Sequence, residues 1–332
     1  MPPLEPPDLP AHRLSLARIA EAAACIDPVF LGSPQFVCEP LSDLLGCRLT
    51  VKVEVVNPIR SFKGRGADYY VKQAFARGEG GPLVCASAGN FGQAMAYACR
   101  DRGRALIVYA AEGANVLKLA RIRALGAEVR LAGQDFDAAK AEARAFSASS
   151  GVRFVEDGQE AAFSEGAGTI AIELLARHDA FDVVAIPLGN GALLTGMARF
   201  IKAAAPRTGV VGVSSRGAPA MAESWRLGRG AEVVVHPSID TVADGIGVRT
   251  PIAAAVDDMH GLVDDVLLVD DAHILEAMRL LHRHVGVLIE PAGAAGLAGI
   301  LAEPERFRTL HVATVLCGGN VTPEQVQGWR IT

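Results

Sequence analysis

Val183-Val184-Ala185-Ile186-Pro187-Leu188-Gly189-Asn190-Gly191-Ala192-Leu193 is the stretch that decides the fold. A short apolar run suits a strand buried on both faces, Pro187 and two glycines end it, and Ala192 opens a helix-period stretch. A strand that hands over to a helix through a glycine turn is half of a strand–helix–strand unit. The pattern recurs in both directions along the chain. Runs at 83–87, 105–110, 127–131, 152–155, 182–187, 209–214, 266–269 and 312–317 read as strands, and Leu49 to Val55 alternates as a half-buried one. Helical periodicity fills 63–77, 91–102, 115–125, 135–149, 192–205, 271–284 and 292–302. This order predicts an α/β protein with open, mainly parallel sheets flanked by helices. Uneven spacing, with a Gly- and Pro-broken gap over 215–265, argues against a closed barrel.

Composition narrows the partners. The chain has 332 residues, half of them hydrophobic and 21% charged, enough to fill a sizeable core in one large domain or two. A net charge of −5 gives no electrostatic basis for binding nucleic acid. No apolar stretch is long enough to cross a membrane, and the proline-rich start at 1–12 reads as an extended arm without a signal peptide, so a cytoplasmic location is expected. Six cysteines lack CxxC spacing, and eight histidines form no zinc pattern. Cys85, Cys99 and Cys317 read as buried thiols, and no metal is expected. His282 and His284 read as surface residues, and Asp264, Asp265, Asp270 and Asp271 as turn and helix-start carboxylates.

Four turns concentrate residues that carry chemistry. Asn57-Pro58-Ile59-Arg60-Ser61-Phe62-Lys63-Gly64 follows the strand at 49–55, and Ser61 is placed to cap a helix opening near Lys63. Only six of the 32 basic residues are lysines, which singles this one out. A positive helix end disfavours an ammonium, as a Schiff-base lysine requires. Ser87-Ala88-Gly89-Asn90-Phe91-Gly92 follows the next strand and suits a carboxylate or ring hydroxyl, with a plain strand–helix turn capped by Asn as the alternative. It also shares features with a hydrolase nucleophile elbow, with Cys85 in place of the first glycine of GxSxG. Gly189-Asn190-Gly191-Ala192-Leu193 suits a phosphate monoester, being neither a Walker loop nor GxGxxG. Gly166-Ala167-Gly168-Thr169-Ile170-Ala171 fits GxGxxA but follows no strand, and is set aside. The fourth turn, Leu316-Cys317-Gly318-Gly319-Asn320, ends an apolar run.

In this order the four turns resemble the pyridoxal-phosphate enzymes of fold type II, the serine/threonine dehydratases (ammonia-lyases) and the related serine racemase above all. Thr241-Val242-Ala243-Asp244-Gly245-Ile246-Gly247-Val248 and Glu290-Pro291-Ala292-Gly293-Ala294-Ala295-Gly296 extend the likeness, which runs from about residue 20 to 325. The resemblance implies pyridoxal 5′-phosphate, bound by Lys63 with Phe62 beside it. It implies Asn90 on the ring hydroxyl, Gly189, Asn190, Gly191, Ala192 and Leu193 around the phosphate, and Cys317 at the pyridine nitrogen. Ser87, Ala88, Gly89 and Asn90 would meet the substrate. It further implies a tryptophan-synthase-β-like architecture, with a small domain at 82–158 inserted into a large one of 1–81 and 159–332. The likeness implies a homodimer.

The activity so implied is β-elimination from a 3-hydroxy amino acid, L-threonine or L-serine first, giving a 2-oxo acid and ammonia. Lys63 would serve as base, and a thiol at the pyridine nitrogen would favour loss of a β-substituent. The chain departs from the family at several positions. Phe91 replaces a usual histidine, admitting a larger β-substituent such as an aryl group. Asn190 and Ala192 interrupt a common run of glycines. Ser214 and Ala220 stand at the racemase cation site, so no cation is expected there. Ala88 stands where racemases have a serine base. With the sequence ending near 332, no C-terminal amino-acid-sensing domain is expected. A β-replacement or threonine-synthase-like enzyme, a non-catalytic binding protein and a serine hydrolase on Ser87 are the alternatives.

Overall fold

Ten strands build two sheets in the computed structural model, which describes residues 12–177 and 180–331. The expected N-terminal arm lies outside these apart from His12. The strands are β1 (Gln35–Val37), β2 (Arg48–Val53), β3 (Leu83–Ala86), β4 (Leu106–Ala110), β5 (Glu128–Leu131), β6 (Arg153–Phe154), β7 (Val183–Pro187), β8 (Gly209–Ser215), β9 (Asp265–Val269) and β10 (His311–Leu316). One sheet has the order β1-β2-β10-β7-β8-β9, and the other β5-β4-β3-β6. All pairs are parallel except β1 with β2. Every residue of β3 and β10 is buried, which is why these strands are apolar runs without alternation.

Fourteen α-helices connect and cover the strands among the described residues: α1 (Leu16–Cys25), α2 (Glu39–Leu45), α3 (Lys63–Ala76), α4 (Asn90–Arg100), α5 (Val116–Ala124), α6 (Phe136–Ser150), α7 (Ala161–Ala176), α8 (Ala192–Ala204), α9 (Ala220–Arg226), α10 (Ala253–Met259), α11 (Asp271–Val285), α12 (Pro291–Ala302), α13 (Pro304–Phe307) and α14 (Pro323–Gly328). The seven helices read from periodicity are present within two residues at each end. The GxGxxA run lies inside α7, where its glycines serve helix packing. A Cβ on Gly166 would sit 2.6 Å from Gly66 Cα of α3, and one on Gly196 of α8 would sit 1.9 Å from Ser164 O. Helices α3, α7 and α8 therefore meet backbone to backbone.

This topology positions the site. In open α/β sheets a ligand sits beyond the carboxyl ends of the strands, where the strand order reverses. Here the order reverses between β7 and β10. Three of the four turns follow β2, β7 and β10 at that edge, and the fourth follows β3 at the carboxyl end of the other sheet.

Candidate active site

A cavity of about 440 Å³ lies between the two sheets, and all the predicted site residues line it: Phe62, Lys63, Ser87, Ala88, Gly89, Asn90, Gly189, Asn190, Gly191, Ala192, Leu193 and Cys317. No group of His, Cys, Asp or Glu among the described residues could hold a metal ion.

Lys63 is placed by a tightly bonded turn. Asn57 Oδ1 accepts from the amides of Ile59 and Ser61 at 3.2 and 3.3 Å, and Arg60 takes the left-handed φ of 51°. The Phe62 amide donates to Cys317 O at 3.1 Å, which ties the lysine turn to the end of β10. Phe62 is the N-cap of α3 and offers no side-chain acceptor; the Ser61 hydroxyl instead accepts from the Lys63 amide at 3.3 Å. Lys63 Nζ stands 4.7 Å from the centre of the Phe62 ring and donates to Asp157 Oδ2 at 2.8 Å. The Asp157 carboxyl thus sits at the N-terminal, positive end of α3.

The second turn is wired across the cleft. Asn90 is the first helical residue of α4, not its cap, because Gly89 takes the N-cap position. Its Nδ2 donates to Glu290 Oε1 at 2.6 Å, and its Oδ1 accepts from Asn320 Nδ2 at 2.8 Å. Glu290 Oε2 accepts from the Asn320 amide at 3.0 Å. Burial pushes the Glu290 carboxyl up to about 7, with Asp244 adding to the shift against Lys118 and the two asparagine donors. Ser87 Oγ accepts from the Gly89 amide at 3.1 Å.

The third turn has the form an anion requires. Gly191 takes φ +92°, and a Cβ on Gly189 would sit 3.0 Å from Gly245 O. The first amides of α8 have no intrahelical acceptor, and they point to the cavity end with the helix dipole behind them. Cys317 is buried, its thiol pushed up by burial, with Sγ 3.9 Å from Ala292 O. A neutral thiol therefore faces the cavity from β10.

Sequence reasoning missed the acids and their cations. Asp157 follows the two-residue strand β6, and Glu290 precedes Pro291 at the start of α12, a helix-start signature that carried no role. Lys118 pairs with Asp244 at 2.5 Å, and Arg249 pairs with Asp135 at 3.2 Å and with Asp137. All three pairs lie at the cavity rim.

Residues 26–318 match the family described as pyridoxal-phosphate dependent enzyme. The chain belongs to this family. It is 31% identical over 308 residues to the L-threonine ammonia-lyase of Thermotoga maritima, covering 93% of this chain and 76% of the relative. The processed threonine deaminase isoform 2 of Solanum lycopersicum superposes with a TM-score of 0.86 at 27% identity, over 99% of this chain and 98% of that one. Maize serine racemase gives 0.85 at 25% identity, over 95% and 96%. The fold is therefore that of the type II pyridoxal-phosphate enzymes, and pyridoxal 5′-phosphate is the cofactor. The residues fit it. A lysine amine and an amide-lined glycine turn face one cavity, with an aromatic ring and a thiol between the strand ends.

Proposed function

We propose that the protein is an ammonia-lyase that dehydrates and deaminates a 3-hydroxy amino acid, with L-threonine and L-serine as its first substrates. The observation that carries this reading is the thiol of Cys317, where a carboxylate would hold the pyridine nitrogen protonated. When bound, pyridoxal phosphate supplies an electron sink for the pair left at Cα after deprotonation. Lys63 holds the cofactor and, as a free amine, takes the Cα proton. Gly189, Asn190, Gly191, Ala192 and Leu193 hold the phosphate on backbone amides. Asn90, fixed by Glu290 and Asn320, would hold the ring hydroxyl. Ser87, Ala88 and Gly89 face the substrate carboxylate, and Phe62 packs beside the ring.

The unit at 82–158, which contains the four-stranded sheet, acts as the small domain closing on the large one of 1–81 and 159–332. No helix among the described residues is long and apolar enough to cross a membrane. All six cysteines are free, which accords with a reducing cytoplasm, and we expect a homodimer that light scattering would detect.

The test is a screen of L-amino acids with the holoenzyme, reading 2-oxo acid and ammonia together. Equimolar release from L-threonine or L-serine is expected. A product that instead incorporates an added thiol or amine, with no ammonia, would make it a β-replacement enzyme. No turnover with either substrate would overturn the lyase reading.

A further inference from the structure

Asp157 is the acidic side chain that hydrogen-bonds the Lys63 amine, at 2.8 Å, and it does so inside the cavity, where it is only 8% exposed. No other described group hydrogen-bonds its side chain. Its place is fixed from behind: Gly158 takes φ +89°, and a Cβ there would sit 2.9 Å from Asn190 O, so the segment lies against the phosphate turn. Lys63 itself is only partly open to water, at 18% of its side chain.

Loss of a β-hydroxyl sets a chemical requirement. Hydroxide is a poor leaving group, and the oxygen must gain a proton as the Cβ–O bond breaks. The base that has just taken the Cα proton holds one, and Asp157 is the group in hydrogen-bond contact with that base.

Resting on the lyase reading above, we propose that Asp157 relays the proton removed by Lys63 to the departing β-oxygen. The Cα–H bond breaks, and its proton joins the lone pair of the Lys63 amine. Lys63 passes one proton along its hydrogen bond to the Asp157 carboxylate. Asp157 gives that proton to the oxygen as the Cβ–O bond breaks with its electron pair going to oxygen. The former Cα–H pair forms the Cα–Cβ double bond, and water leaves. Lys63 ends as a neutral amine and Asp157 as a carboxylate, as they began. Asp157 thus contacts the departing oxygen itself and is a catalytic residue, with Lys63 as the source of its proton. A leaving group that needs no proton, such as chloride, has no use for it.

The experiment compares wild-type holoenzyme with Asp157→Asn and Asp157→Ala. Four readouts separate relay from scaffold: cofactor affinity by absorbance titration, exchange of the Cα hydrogen of L-alanine with solvent deuterium by NMR, elimination from L-threonine, and elimination from β-chloro-L-alanine. For Asp157→Asn, cofactor affinity should stay within about threefold and L-alanine exchange within about fivefold. Elimination from L-threonine should fall about 100-fold or more, and that from β-chloro-L-alanine less than about fivefold; these sizes are on the scale of a lost proton-transfer group. Added formate should restore L-threonine elimination in Asp157→Ala by about tenfold and leave the chloride reaction unchanged. Equal losses on both substrates, undiminished L-threonine elimination, loss of cofactor binding, or no rescue by formate would each overturn the relay. A wild type that releases no 2-oxo acid from L-threonine or L-serine overturns the lyase reading itself, before any variant is compared.

Discussion

Glu290 accepts a hydrogen bond from Asn90 at 2.6 Å, and this contact joins the two halves of the site. Asn90 opens α4 behind the four-stranded sheet, whereas Glu290 precedes α12 on the six-stranded one. The carboxyl is buried and shifted up to about 7 from 4.5, burial being the larger cause and Asp244 the next. A raised carboxyl favours the folded state most when protonated. Its contribution is complete below about 4.5 and is lost as pH rises through about 7. Unfolding of wild type and Glu290→Gln across pH 4 to 8 should show wild type losing ground to the variant, by on the order of 3 kcal/mol over that window. A pH-independent difference would show that Glu290 titrates as an ordinary carboxyl.

Arg65, two residues after Lys63, is fully buried and bonds Glu54 at 2.8 Å and Glu173 at 2.6 Å, while Lys52 bonds Glu173 at 2.6 Å. Two cations and two anions thus clamp α3 to β2 and α7. Arg65→Met leaves Glu54 without its cation, and chemical denaturation should report a loss of about 3–5 kcal/mol. Burial opposes ionisation of Glu173, but Arg65 and Lys52 outweigh it and bring the carboxyl down to about 2. Its share of stability is present above about 4.5 and is lost as pH falls through about 2. Acid unfolding should therefore shift to higher pH in Glu173→Gln, and an unchanged acid midpoint would contradict this.

Gly191→Asp should weaken cofactor binding tenfold or more, about 1.4 kcal/mol. Room is not the limit, since a Cβ there would lie 3.5 Å from Ala255 Cβ; the φ of +92° and the added charge beside the phosphate are. An unchanged dissociation constant would place the phosphate elsewhere.

The protein should not racemise its substrates. Inversion at Cα needs a base on each face, and Lys63 serves one. Ala88 carries only a methyl group, and the Ser87 hydroxyl is turned back to the Gly89 amide at 3.1 Å. Long incubation with L-serine, followed by chiral chromatography, should show no D-serine above a Lys63→Ala control. D-serine above that control would reveal a second base.

Much of the fold was legible because parallel strands buried on both faces are apolar runs ended by glycine or proline, as in Val183–Pro187. The helix α7 escaped because it is buried on nearly every side and carries Gly166 and Gly168, which look like a loop until Gly66 and Gly196 are seen against them. Strand β1 is three residues long, and α9, α10 and α14 are six or seven, too short for periodicity to declare them. Twelve of the residues lining the cavity were legible in four turns, each next to a strand end. Asp157 and Glu290 were not, because a lone carboxylate in a loop or before a proline looks the same whether it faces solvent or a lysine. Only the tertiary fold brings Asp157 to Lys63 across 94 residues, and Glu290 to Asn90 across 200.

Lys63 is the residue through which the cofactor and the chemistry meet, and one measurement addresses it. Borohydride reduction of the holoenzyme, followed by peptide mapping, should place a single pyridoxyl group on the peptide containing Lys63. Labelling of Lys52, Lys72 or any other lysine in its place would contradict the assignment and the chemistry built on it.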